Sequence, residues 1–279
     1  MTVRVVTDSC SDITQHEAKQ LGITVVPAYV RFGNEVFRDG VDIDCDQFYE
    51  KLTTCPVHPA TAAPSPGDFA GTYEEIAKET KEIVSIHVTR KHSAMYESAL
   101  IAKRLAEEKG IKVEVIDSLG LTMWQGLVAI MAAQAARAGG SFLEVIDKAH
   151  QTINRLCGLA LLDTLRYAVK GGRIGSTIFA IESKLNIKPL ITLVNGEIRP
   201  AGIVRNRNRG IERLQSVIAK ADEGKIAIVH STSEEDALKL ADHARKLFPN
   251  SAPRIDRLGP ALGAHAGPGA LAVIAIGKT

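Results

Sequence analysis

Four short segments carry residue types that a packed core does not require. Thr7-Asp8-Ser9-Cys10-Ser11-Asp12 follows the apolar run Val3 to Val6 and brings hydroxyls and carboxylates together. Such groups can receive a ligand (Thr7, Asp8 and Ser9 are the candidates), or they can cap the loop and the helix behind it. In Pro59-Ala60-Thr61-Ala62-Ala63-Pro64-Ser65-Pro66 three prolines restrict the backbone and can hold the Thr61 hydroxyl in place. In His87-Val88-Thr89-Arg90-Lys91-His92-Ser93-Ala94 a strand is expected to end near Val88, with Ser93 at the next helix N-cap. Its hydroxyl and the free amides there could receive a carboxylate or phosphate. Gly259 to Ala270 holds four glycines and two prolines around His265 and Gly267, and reads as a loop built for close backbone approach. A histidine there has less structural reason to exist than one on a helix face.

Competing chemistries are thinly represented. No Gly-rich phosphate-binding motif follows a strand, and no Gly-x-Ser-x-Gly elbow occurs. Ser93 with His265 and a loop aspartate could imitate a triad, so a serine hydrolase or acyltransferase is the alternative reading. Cys10, Cys45, Cys55 and Cys157 are scattered without a Cys-x-x-Cys pair, so buried thiols in a reducing compartment are expected, with no metal site. Asp39-Gly40-Val41-Asp42-Ile43-Asp44 lacks the glutamate that would close a calcium loop and reads as a turn. His16, His150 and His243 fall on expected helices and read as solvated.

The 279 residues carry 34 Lys plus Arg against 32 Asp plus Glu, a net charge of +2, with 5% aromatics. That balance argues against a nucleic-acid binder. No apolar run nears the roughly 18 residues of a membrane span, and the N-terminus lacks a secretory pattern, so a cytoplasmic protein without stable membrane insertion is expected. The neutrality is an average: residues 166–213 hold ten basic and three acidic residues, +7, and the remainder −5. A locally basic face of that kind suits a negatively charged partner.

Strand-like runs alternate with helical ones through the first half, implying a parallel sheet with ligands beyond its carboxyl ends. Val25 to Val30 reads as one strand, and two capping boxes are expected, at Thr14 to Glu17 and Thr232 to Glu235. After Phe142 the pattern changes. Lys188 to Val194 and Glu197 to Val204 flank Asn195-Gly196, the strongest hairpin signal in the chain. The expected architecture is an α/β two-domain fold: a parallel α/β/α domain over 1–150 and a smaller α+β domain, largely antiparallel, over 151–279.

Together these segments resemble the DegV family of bacterial fatty-acid-binding proteins, nearly end to end. The resemblance rests on Thr7-Asp8-Ser9, Val25-Val26-Pro27, Asp39-Gly40-Val41-Asp42-Ile43, Ala60-Thr61 through Pro64-Ser65-Pro66, Val115-Ile116-Asp117-Ser118, Gly171-Gly172-Arg173-Ile174-Gly175 and Gly267-Pro268-Gly269-Ala270-Leu271. It implies a long acyl chain buried between the two domains, with its carboxylate held at Ser93, the Ala94 amide, Thr61 and His265. No cofactor is implied beyond that ligand. It further implies presentation of the carboxylate to a separate ATP-dependent fatty-acid kinase, which makes an acyl-phosphate for phospholipid synthesis. Arg173 and Arg205 match the arginines of that encounter. Where the family usually has more polar residues, this chain has Ala62, Ala63, Ala94, Met95, Ala264 and Ala266, so a more apolar pocket is expected. A protonated His265 would add charge assistance to the carboxylate.

Overall fold

A computed structural model describes residues 2–174 and 187–278. Gly175, Glu182 and Lys184, which entered the motif and charge readings above, lie outside the described residues. Strands β1 (Val3–Asp8), β2 (Ile23–Val26), β6 (Glu82–His87) and β7 (Lys112–Asp117) form a parallel sheet in the order β2-β1-β6-β7. A second sheet takes β8 (Leu156–Leu161), β9 (Lys188–Val194), β10 (Glu197–Val204), β11 (Ala221–His230), β12 (Arg254–Arg257) and β13 (Leu271–Gly277) in the order β10-β9-β8-β13-β11-β12. It is antiparallel except where β11 meets β12. The expected pairing of a parallel sheet with a largely antiparallel one is therefore present.

Alternation along the strands sets the layers. Val6, Val113 and Val115 face α3 (Pro66–Ile76) and α4 (Met95–Glu107). Val5, Val84 and Ile116 face the other way, onto α5 (Met123–Arg137) and α6 (Phe142–Arg155), which also receive Ala227, Val229 and Ile274 from the second sheet. Eleven of the fifteen α5 residues are buried, as a helix apolar on nearly every side requires. The far face of the second sheet, through Ile228 and Val273, packs on α8 (Arg207–Ile218) and α9 (Glu234–Leu247).

Four local expectations are corrected. Pro27 divides Val25 to Val30: β2 ends at Val26, and β3 (Tyr29–Phe32) starts a third sheet with β4 (Glu35–Arg38) and β5 (Ala60–Ala62), in the order β4-β3-β5. The Pro-rich segment thus carries an edge strand. The Gly-rich segment is a helix, α10 (Pro260–Ala266), with Pro260 in its first turn where a missing N–H costs nothing. The second capping box does not form, because the Thr232 hydroxyl accepts from the Gly269 amide at 3.0 Å. Of the first, Thr14 accepts from the Glu17 amide, but the Glu17 carboxylate is engaged by Arg254.

Candidate functional site

Beyond the carboxyl ends of the parallel strands lies a cavity of about 300 Å³. Cys10 after β1, Ala28 after β2, Val88 to Met95 around the β6–α4 loop, and Trp124 at the start of α5 line one side. Ala160, Ile191, Leu193 and Ala272 of the second sheet line another, and α10 contributes Ala261, Leu262, His265 and Ala266. Most of this wall is aliphatic.

Thr61, Ser93, Ala94 and His265 all reach that wall. Thr61 is placed by strand register, opposite Val30 in the β3–β5 ladder. His265 sits in the last turn of α10, and its Nε2 lies 2.9 Å from Thr61 Oγ1. The other ring nitrogen, Nδ1, is buried without a hydrogen-bond partner and faces Gly171. A Cβ at residue 171 would lie 2.1 Å from it, so only glycine allows this approach. Gly267 does not line the cavity: its φ of +74° ends α10, and a Cβ there would strike the Tyr167 ring at 2.2 Å.

Ser93 is not the N-cap of α4; Ala94 is, with no side-chain cap. Ser93 Oγ instead accepts the Met95 amide at 3.3 Å, which leaves its own hydroxyl hydrogen available. The first amides of α4 point at the same region and carry the positive end of its dipole. His92, which the sequence reading passed over, also lines the cavity and ties it to the hairpin by accepting the Ile198 amide at 3.1 Å.

Burial pulls His265 down to about 4, helped by the positive charge of Arg173 and by His58 and His92. The expected imidazolium is therefore absent at neutral pH, and the ring is neutral. A hydrolytic triad is not assembled either. His265 Nε2 meets Thr61, no hydrogen bond joins it to Ser93 among those described, and no carboxylate reaches Nδ1.

The remaining candidates separate. Arg173 lines the cavity, is exposed, and donates to the Gly171 carbonyl at 2.6 Å. Arg205 is exposed and off the cavity wall. Among the described residues, ion pairs engage Lys188, Arg199, Arg207 and Arg209, so part of the basic segment is neutralised locally. Thr7, Asp8 and Ser9 are also off the wall: Thr7 donates to the Ile86 carbonyl, Ser9 to Asp39, and Asp8 sits wholly buried against His87. All four cysteines are free, and of them only Cys10 is buried. Among the described residues no His/Cys/Asp/Glu group is placed to hold a metal, and no helix is long and apolar enough to cross a membrane.

A parallel and a largely antiparallel sheet packed on the same two helices, beside an aliphatic chamber with hydroxyl and imidazole groups on its wall, define an α/β protein with an enclosed apolar cavity. The chain belongs to the DegV family: the family model described as "Uncharacterised protein, DegV family" matches residues 2–278. A DegV domain-containing protein of Streptomyces coelicolor is 34% identical over 278 residues, 98% of this chain and 97% of that protein. The crystal structure of Bacillus subtilis DegV, a fatty acid binding protein, is 28% identical, covers 100% of both chains and superposes with a TM-score of 0.90. A stearic acid-binding protein of Eubacterium ventriosum is 25% identical with a TM-score of 0.89, covering 99% of this chain and 98% of that one.

Proposed function

We propose that this protein binds a long-chain fatty acid in the cavity, in the cytoplasm, and presents its carboxylate to a separate ATP-dependent fatty-acid kinase. The observation that carries the reading is the Thr61–His265 pair set into an otherwise aliphatic chamber, and solved DegV relatives that bind fatty acids support it. On this reading residues 1–150 and 151–279 are two domains with the ligand between them.

Burying an acyl chain contributes about 0.8 kcal/mol per methylene, so a ~16-carbon tail supplies on the order of 10 kcal/mol before ordering costs. The carboxylate needs donors, since burying it bare costs several kcal/mol. With its proton on Nε2, neutral His265 donates to Thr61 Oγ1 and frees the Thr61 hydroxyl for the ligand. Ser93 and the amides at Ala94 and beyond complete the set. This holds and orients a carboxylate without a proton-transfer cycle.

Solvent extraction of the purified protein followed by mass spectrometry should yield a fatty acid in near-equimolar amount. Saturable quenching of Trp124, the single tryptophan, should follow added palmitate. An apolar extract devoid of fatty acid together with no saturable response would sink the reading.

The two arginines should differ. Arg205→Glu should cut acyl-phosphate formation with the partner kinase by about tenfold, the scale of a reversed docking charge, while sparing palmitate affinity. Arg173→Glu should weaken both, because Arg173 lines the cavity. Equal loss of palmitate binding in the Arg205 variant would assign that residue to the pocket or the fold.

A further inference from the structure

Two aspartates from motifs that the ligand site leaves unused fasten the helix that carries His265. Asp39 Oδ2 accepts the Ser9 hydroxyl at 2.8 Å and the Ala261 amide at 3.2 Å. Asp12 accepts the Gly259 amide through Oδ1 at 2.9 Å and the Thr122 hydroxyl through Oδ2. Gly259 and Ala261 open α10, and amides in that position have no partner within the helix. Three separated stretches of chain, at residues 9–12, 39 and 122, thus converge on one end of the element whose other end meets Thr61.

We propose that Asp12 and Asp39 are positioning residues for the head-group site, and that ionisation of Asp39 loosens α10 and with it the hold on the ligand. The first part stands on the hydrogen bonds alone; the ligand half rests on the fatty-acid reading.

The sign follows from where Asp39 sits. It is 3% exposed, and burial pushes its carboxyl up to about 7 against the opposing effect of its Ser9 and Ala261 donors, with Asp8 adding repulsion. The groups facing the pair are Asp8 and Cys10 from β1 and its turn, and Cys45 and Tyr49 from α2 (Cys45–Thr54). From β12 come Asp256, beside Asp12, and Arg257, which is bridged to Asp46. Among the described residues neither Asp12 nor Asp39 has a cationic ion-pair partner. An ionised Asp39 therefore gains by meeting water. The docked form keeps its proton up to about pH 7, whereas a hydrated aspartate loses it near about 3.9. Between those values the docked form binds more protons, so undocking becomes easier by up to about tenfold per pH unit as pH rises, a contribution from Asp39 that levels off above 7; Asp12, whose carboxyl burial also pushes up, acts in the same direction.

The test is hydrogen exchange of residues 259–267 in the ligand-free protein from pH 5 to 8, corrected for intrinsic exchange, a range in which His265 stays neutral. Protection should fall by at least about tenfold between pH 5 and 7. Asp39→Asn should reduce the slope, leaving the part that comes from Asp12, whose carboxyl burial also pushes up, and keep the acid-side protection. Ser9→Ala removes a donor that favours the ionised form, so the fall should continue to higher pH. Protection flat across the range, an Asp39→Asn variant with the wild-type slope, or, should that variant not fold, an unmoved end point in Ser9→Ala overturns the proposal. Release of bound palmitate in the same buffers should quicken along the same profile; a flat release rate beside a loosening helix overturns the link to ligand hold. A protein that binds no palmitate would instead defeat the fatty-acid reading, which the exchange data on ligand-free protein do not require.

Discussion

His265→Ala should weaken palmitate binding by up to about tenfold, since a hydrogen bond between neutral groups contributes about 0.5–1.5 kcal/mol. The change removes the partner 2.9 Å from Thr61 Oγ1 and leaves that hydroxyl unoriented. Fluorescence titration of Trp124 measures the affinity, and thermal melting should show the fold retained. Undiminished affinity would refute the assignment of the head group to this end of α10. The same residue should report the ligand's charge. Burial holds His265 down to about 4, and a carboxylate placed beside it opposes that effect. Palmitate should therefore raise the His265 pKa, so that at mildly acid pH binding takes up a proton. An imidazole titration followed by NMR that is the same with and without palmitate would place the carboxylate elsewhere.

The largest loss of stability is expected from Asp8→Ala. Asp8 Oδ2 accepts His87 Nδ1 at 2.9 Å and the Val88 amide at 3.1 Å, and Oδ1 accepts the Cys10 amide at 3.0 Å. His87 Nε2 continues to Ser85 Oγ at 2.7 Å, and Ser85 to the Tyr73 hydroxyl at 2.8 Å. Asp8, Ser85, His87 and Tyr73 are all 0% exposed, so alanine would strand three donors where water cannot reach them. Removing one partner from such a buried network costs about 3–5 kcal/mol. Urea denaturation should show that loss, with Asp8→Asn falling between. A loss below about 1 kcal/mol would mean the cavity left behind is readily hydrated.

What could be read from the sequence was what short-range chemistry decides. The hairpin at Asn195-Gly196 formed as expected, because both residues adopt positive φ, +50° and +79°, as the tight turn demands. Ser93 reaches the cavity from the loop after the parallel strand β6, as read from the sequence, whereas Thr61 comes from β5 of the third sheet and His265 from α10 after β12. The misses have distant causes. Helix 260–266 is rich in glycine and proline, and its first turn is completed by Asp12 and Asp39, more than two hundred residues earlier. Ser93 yielded the cap to Ala94 and accepts the Met95 amide instead, while Thr232 was diverted by Gly269, a tertiary neighbour that no local pattern records. The neutrality of His265 depends on burial and on Arg173, which only the folded chain brings near.

The strand order of the second sheet bears on how the chain is made. β13 is the last strand among the described residues, yet it lies between β8 and β11 rather than at an edge. A growing chain can pair β1, β2, β6 and β7 early, but the layer covering α5 stays divided until residues 271–277 arrive. Until then the greasy flank of α5 has no lid, and two strand edges stand open to any other polypeptide nearby. The chamber is thus completed by the final insertion of a zipper strand, and synthesis of this protein passes through a stage in which shielding by a chaperone has a definite surface to act on.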